Sequence, residues 1–211
     1  METLGLSGPP VRNENIFKRI FWPSADSVDA DMLGQQGFWI CLLLALLTVI
    51  GAVFKGHIVL GALFALFYFL GGIGVREHDI VSAISVTAIY LLNAAGAVLM
   101  TRQFPGWLVL FVILILASNV RGCWIASKWL RSGDPDLVPL RMNENWRDKL
   151  VDQVPARLWP RIRTGFYALA FLVFLATLAG VIVVAVRGPS IQNPAMSQPD
   201  AVIHVQAPDS H

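Results

Sequence analysis

Charged residues are scarce in this chain. Asp, Glu, Lys and Arg make up 14% of its 211 residues, whereas hydrophobic residues make up 55%. An average soluble domain carries about 25% charged residues, so lipid is the more natural solvent for this composition. The formal net charge is only +2 and no dense run of Lys or Arg occurs, which argues against a nucleic-acid partner.

Cysteines and catalytic motifs are equally sparse. The two cysteines, Cys41 and Cys123, are too few for a disulfide scaffold and lack the spacing of a zinc or redox pair. The chain contains no nucleophile elbow, zinc-protease motif, phosphate-binding loop or CxxC motif. The sequence therefore predicts no catalytic residue, no metal site and no cofactor, and it leans away from an enzyme.

Five stretches of the chain lack any charged side chain and are long enough, or nearly so, to cross a membrane. A hydrocarbon core about 30 Å thick takes roughly 17 to 25 residues of helix. Helices satisfy their own backbone hydrogen bonds, as lipid requires, whereas a β-barrel would show an alternating pattern that is missing here. We therefore predict an all-α membrane bundle of five transmembrane helices, at residues 37–54, 58–75, 80–100, 104–120 and 165–186.

The connection between the first two predicted spans is very short. Only Lys55, Gly56 and His57 separate them, which predicts a tight antiparallel helical hairpin. Because both spans are at the short end, a re-entrant pair is the alternative. The aromatic and charged residues that flank the pair suit both membrane interfaces and favour full crossings.

Basic residues are distributed unevenly about the five spans. Thirteen Lys and Arg residues fall on the side of the N-terminus and three on the other side. Because Lys and Arg are enriched in cytoplasmic loops, we expect the N-terminus in the cytoplasm and the C-terminus outside. Both cysteines then face a reducing compartment, which predicts free thiols. The compact loops and the lack of an exterior glycosylation sequon suit a bacterial cytoplasmic (inner) membrane.

The remaining segments divide the chain into five predicted regions. A cytoplasmic tail (1–36) precedes the four-helix region (37–127), a cytoplasmic loop (128–163), the fifth span (164–187) and a disordered external tail (188–211). Residues 16–22 of the first tail resemble an apolar interfacial anchor, with a disordered tail of scattered hydrophobic residues as the alternative. Within the loop, Asn143 is expected to cap an amphipathic helix that ends or kinks at Pro155. This helix is expected to lie on the inner leaflet, with docking onto the bundle or a partner protein as the alternative.

Six polar or ionisable residues share the predicted inner face, and we call them the polar cluster. They are Arg76, Glu77, His78, Asp79, Asn119 and Arg121. The cluster is a candidate ligand site that could hold an anionic head group through its arginines or move protons through His78. Within the cluster, Arg121 could pair with Glu77 or Asp79. The alternative is an ordinary charged helix turn with an arginine whose side chain reaches out to water.

A Gly-Gly-x-Gly run, Gly71 to Gly74, closes the second predicted span. Such a run binds phosphate where it follows a strand and opens a helix, and this one does neither. Close helix packing or a loosened helix end is therefore the better interpretation.

Two functions from different classes remain open. The absence of mid-span charges and of catalytic motifs favours a small non-enzymatic protein that scaffolds, assembles or modulates its partners through the inner-face loop. Its expected partners are the lipid bilayer and either another membrane protein or further copies of the chain. The alternative is a transporter or enzyme that handles a lipid or small molecule at the polar cluster.

Overall fold

The computed structural model describes residues 27–132 and 146–187, and these residues contain helices and short connections but no strand. Five helices are long and apolar enough to cross a membrane, as in an integral membrane protein, which confirms the predicted all-α class. They are α1 (Ser27–Lys55), α2 (Ile58–Arg76), α3 (Ile80–Thr101), α4 (Trp107–Ser132) and α5 (Trp146–Arg187). The predicted N-terminal anchor, the cap at Asn143 and the external tail lie outside the described residues.

Helices α1 and α2 form the hairpin predicted from their short connection. Gly56 turns the chain with a φ of 72°, a left-handed conformation that glycine adopts without a Cβ clash. A Cβ on Gly61 would overlap the Cβ of Ala52, and one on Gly72 would lie 2.8 Å from the Cβ of Cys41. The two helices are therefore antiparallel and in close contact along most of their shared length.

Helices α3 and α5 run in the same direction. Asp79, at the start of α3, is hydrogen-bonded to Tyr167, and Gly96, near the end of α3, packs against Val181. The first residues of α1, α3 and α5 consequently gather with the last residues of α2 and α4. We call this part of the molecule the Arg76 end, because Arg76 lies at its centre.

Three helices extend beyond the predicted spans at the Arg76 end. Helix α1 begins at Ser27 and not at residue 37, α4 ends at Ser132 and not at residue 120, and α5 begins at Trp146 and not at residue 165. The predicted boundaries were set at charged residues because lipid excludes them. A helix can nevertheless continue past the hydrocarbon core wherever its charges reach water or a partner.

Helix α5 corrects the predicted surface helix. It is continuous from Trp146 to Arg187 and passes through both Pro155 and Pro160, so it does not end at the first proline. Val151, Pro155 and Trp159 are buried within the bundle. Their spacing of four residues continues the buried stripe of the membrane part of the helix, which includes Phe166. One side of residues 151–159 therefore docks onto the bundle, as in the alternative, and the predicted position on the inner leaflet stays a prediction.

The hydrophobic core lies towards the Arg76 end. Phe67 of α2 stacks on Phe166 of α5 with 5.7 Å between ring centroids, and Trp159 packs on the same ring at 5.5 Å. Val86 and Ile89 of α3 are completely buried beside them. At the opposite end, large hydrophobic side chains point outwards, as expected where the solvent is lipid. They include Phe54, Val59, Met100 and Val186.

The glycine run of α2 lies where this helix meets its neighbours most closely. A Cβ on Gly71 would overlap Val86 of α3, and a Cβ on Gly74 would overlap Ser82 and lie 2.6 Å from the Trp159 ring of α5. Glycine thus lets α3 and α5 approach the backbone of α2. The predicted packing role of the Gly-Gly-x-Gly run is confirmed.

This contact predicts that Gly71→Leu destabilises the protein by about 1–3 kcal/mol, because overpacking forces the facing helices apart. Gly180→Leu is the matched control, since a Cβ at Gly180 meets no atom within 4 Å. Thermal unfolding in mild detergent, followed by circular dichroism, measures both variants. Equal melting temperatures for the two variants would contradict the packing role.

Candidate functional site

Arg76 ends α2 and is 2% exposed, so its guanidinium group is buried among helices. Its Nη1 donates to the Asp31 side chain (2.6 Å) and to the Asp31 carbonyl oxygen (3.1 Å). Its Nε donates to Asp152 Oδ1 (2.9 Å), and its Nη2 donates to the same oxygen. All three guanidinium nitrogens are therefore engaged within the protein. We call Asp31, Arg76 and Asp152 the Arg76 triad.

The triad joins two helices that otherwise touch little. Asp31 lies on α1 and Asp152 on α5, whereas the extensive contacts of these helices are with α2, α3 and α4. Both carboxylates are more than nine-tenths buried. Burying charges is costly, and the loss of one partner leaves the others uncompensated. Arg76 therefore holds the extensions of α1 and α5 in one arrangement.

The connection from α2 to α3 brings His78 beside Arg76. His78 has a φ of 56°, a left-handed conformation that costs a residue other than glycine about 1–2 kcal/mol. A Cβ on Gly34 of α1 would lie 2.8 Å from His78 Cε1 and 3.3 Å from Arg76 Nη1. Glu77, half-buried, closes the end of α2 through its N–H group, which donates to the Ile73 carbonyl (3.2 Å). Arg76 and His78 are thus neighbours, as predicted for the polar cluster.

Asp79 turns towards α5. It caps the N-terminus of α3 by accepting hydrogen bonds from the Ser82 N–H and hydroxyl groups, both at 2.9 Å. Its other oxygen accepts from the Tyr167 hydroxyl (2.8 Å) and lies 3.5 Å from Arg163 Nη2. These contacts fasten the start of α3 to α5. The predicted pairing between Asp79 and Arg121 stays a prediction.

Asn119 faces α1 from α4. It is 2% exposed and lies against Gly37, where a Cβ would be 3.0 Å from its amide carbon. Neither its amide nitrogen nor its amide oxygen has a hydrogen-bond partner among the described residues. Gly37 follows Gly34 by three residues, which corresponds to about 4.5 Å along the helix axis. Asn119 therefore lies roughly one helical turn from the Arg76 and His78 side chains along α1.

The structure brings only part of the predicted cluster together. Arg76 and His78 meet at α1, Asp79 belongs to the contact with α5, and Asn119 forms a separate polar point between α1 and α4. Arg121 is half-buried on α4, and its pairing with Glu77 stays a prediction. Within residues 27–132 and 146–187, no group of His, Cys, Asp and Glu side chains is arranged to hold a metal ion.

Sequence reasoning missed the two carboxylates of the triad. Asp31 was assigned to the tail and Asp152 to the polar side of a surface helix. The available signal was helical spacing. Two buried residues, Gly34 and Phe38, follow Asp31 at successive intervals of three and four residues. Pro155 and Trp159 follow Asp152 at the same intervals and are also buried. Each aspartate thus extends the buried stripe of a span.

The arrangement indicates what the site can do chemically. Each guanidinium nitrogen of Arg76 already donates to Asp31 or Asp152, and the side chain is 2% exposed, so an external anion has little access to it while α1 and α5 stay docked. The unsatisfied hydrogen-bonding capacity lies instead on Asn119 and on Asp152 Oδ2, which has no partner among the described residues. Buried polar atoms of this kind are usually satisfied by ordered water or by a small polar ligand. Cys41 and Cys123 are buried free thiols, as predicted.

The triad predicts a large loss of stability for Arg76→Gln. Removing the guanidinium group leaves two buried carboxylates without a counter-charge, which costs about 3–5 kcal/mol. Arg163→Gln is the control, because Arg163 is 56% exposed and its pair with Asp79 is worth at most about 1 kcal/mol. Unfolding by titration of a denaturing detergent measures both. If Arg76→Gln unfolds at the wild-type midpoint, the triad does not hold the bundle together.

Comparisons with known proteins supply no assignment for this site. The chain matches no protein-family model, no curated protein and no solved structure. The function of the site is therefore argued from its geometry alone.

Proposed function

We propose that this chain is a non-enzymatic integral membrane protein that scaffolds, assembles or modulates a membrane partner at its Arg76 end. The observation that carries the proposal is the Arg76 triad. Every nitrogen of its guanidinium group donates to Asp31 or Asp152, so the most buried charge of the polar cluster joins helices within the protein and is not held open for a substrate. A rigid joint of this kind suits a protein that presents a surface.

The surface that the joint supports is the outer side of the first half of α5. Arg157, Leu158 and Arg161 are exposed there, while Asp152 and Trp159 anchor the opposite side of the helix in the bundle. The helix has 42 residues and so measures about 63 Å, twice the thickness of a hydrocarbon core. Its first part can therefore reach a partner beyond the lipid.

The distribution of basic residues supports an orientation with the Arg76 end in the cytoplasm. Arg76, Arg121, Lys128, Arg131 and the arginines of the first half of α5 all belong to that end. Within residues 27–132 and 146–187, the opposite end contains Lys55, Arg102 and Arg187 as its only Lys and Arg residues. Positive residues favour the cytoplasmic side, and we propose a bacterial inner membrane as the location.

Cysteine labelling tests this orientation. The native thiols, Cys41 and Cys123, are 0% and 2% exposed, so they contribute little background. A membrane-impermeant maleimide is expected to label Lys55→Cys in intact cells and Arg157→Cys only after permeabilisation. The reverse pattern, or labelling of both positions in intact cells, would contradict the proposed topology.

The alternative function is the handling of a lipid or small molecule at the polar cluster. One observation favours it, namely the buried amide of Asn119, which has no hydrogen-bond partner among the described residues. A ligand with a polar group would satisfy this amide, and His78 and Arg121 belong to the same end of the molecule. The two functions thus depend on different residues.

Co-purification separates the two functions. If the chain is a scaffold, a photoreactive amino acid placed at position 158 of the otherwise unchanged chain should cross-link to a protein partner or to a second copy. The cross-link should weaken by about tenfold in Arg157→Gln/Arg161→Gln, which removes two surface charges, each worth about 0.7 kcal/mol. Asn119→Leu should leave the cross-link intact. Loss of a co-purified lipid or metabolite from Asn119→Leu alone, measured by mass spectrometry, would instead support the alternative and contradict the scaffold.

A further inference from the structure

A groove opens at the end of the bundle opposite to Arg76. It has a volume of about 600 Å³ and lies between the end of α3, the connection to α4 and the end of α5. Val98, Leu99, Phe104 and Val184 form its apolar walls. Helices α3 and α5 are in close contact one turn deeper, where a Cβ on Gly96 would lie 3.2 Å from Val181. The groove therefore has a closed floor and an open mouth.

The volume and position of the groove fit part of a lipid molecule. Pockets for small ligands in proteins measure about 300–1,000 Å³, and this one falls within that range. It lies at the end of two apolar helices, where acyl chains meet the head-group region. An acyl chain gains little by exchanging lipid neighbours for Leu or Val, because the two surroundings are equally apolar. Selection must therefore come from the polar rim.

The rim carries a positive charge. Arg102 and Gln103 line the groove, and its lining contains no Asp or Glu. The neighbouring connection on the same face carries Lys55. An arginine side chain can donate two parallel hydrogen bonds to a phosphate group. Zwitterionic phospholipids also carry this phosphate, but their head groups have no net negative charge, so the positive rim favours an anionic one. The charge at the mouth thus complements an anionic phospholipid.

We propose that this groove binds one anionic phospholipid of the adjacent leaflet, with an acyl chain between Leu99, Phe104 and Val184 and the phosphate group on Arg102. The site is independent of the scaffold function, because it lies at the other end of the molecule from the Arg76 triad. Its residues belong to α3, α5 and the α3–α4 connection. A bound lipid would therefore fill the space between these segments.

The backbone of Arg102 provides a clean test. Arg102 ends α3 with a φ of 54°, and its N–H group donates to the Val98 carbonyl (2.8 Å). Glycine is the residue that helix ends of this conformation ordinarily use. Arg102→Gly therefore removes the charge from the groove while retaining, or improving, the fit of the backbone. An unchanged or raised melting temperature verifies that the variant is folded.

Native mass spectrometry of the full-length protein in mild detergent, titrated with phosphatidylglycerol or phosphatidylcholine, measures the site. Loss of one surface charge should weaken phosphatidylglycerol binding by about fivefold in Arg102→Gly and weaken phosphatidylcholine binding less, because the choline cation offsets the phosphate charge. Lys55→Gln is the matched control, because it removes a positive charge from the same face outside the groove, and it should bind like the wild type.

Three results would overturn the proposal. The first is wild-type phosphatidylglycerol binding by Arg102→Gly. The second is an equal loss in Lys55→Gln, which would reflect the charge of the whole face and not the groove. The third is displacement of the lipid by millimolar inorganic phosphate, which would assign the charge to a free anion and not to a phospholipid.

Discussion

A single buried positive charge sets the arrangement of this bundle. Arg76 ends a helix whose neighbours approach through glycine, so its guanidinium group has no route to bulk solvent and must find its partners inside the protein. Asp31 and Asp152 provide them from two helices that otherwise share little contact. The docked half of α5 and the buried turn at His78 lie beside this ionic contact, and the hydrophobic core lies towards the same end.

Lipid solvation made the five spans predictable, because a stretch that excludes charge over the thickness of a membrane has few other structures available. The hairpin was predictable because only three residues follow Phe54 before the next span. The packing role of the glycine run was predictable because small residues let helices approach closely. Helix ends were not predictable in the same way. Charged residues mark where lipid stops, whereas α1, α4 and α5 continue for several turns beyond that limit.

The candidate site was predictable only in part. Arg76 and His78 were identified because ionisable residues at the end of an apolar span are conspicuous. Their partners were not, since Asp31 and Asp152 lie in segments whose polar residues looked solvated. Sequence reveals the cost of burying a charge but not the distant residue that offsets it. The separation of Asn119 from the triad likewise depends on which side of α4 meets α1.

The position of Asp152 has a consequence for the order of assembly. It follows Arg76 by 76 residues in the chain, so at ordinary rates of synthesis it leaves the ribosome roughly 4 to 15 s later. During that interval α3 and α4 are synthesised, and Arg76 has Asp31 as its only partner from the triad. The last helix to be made thus brings the second carboxylate, and the bundle reaches its final packing only once translation of α5 is under way.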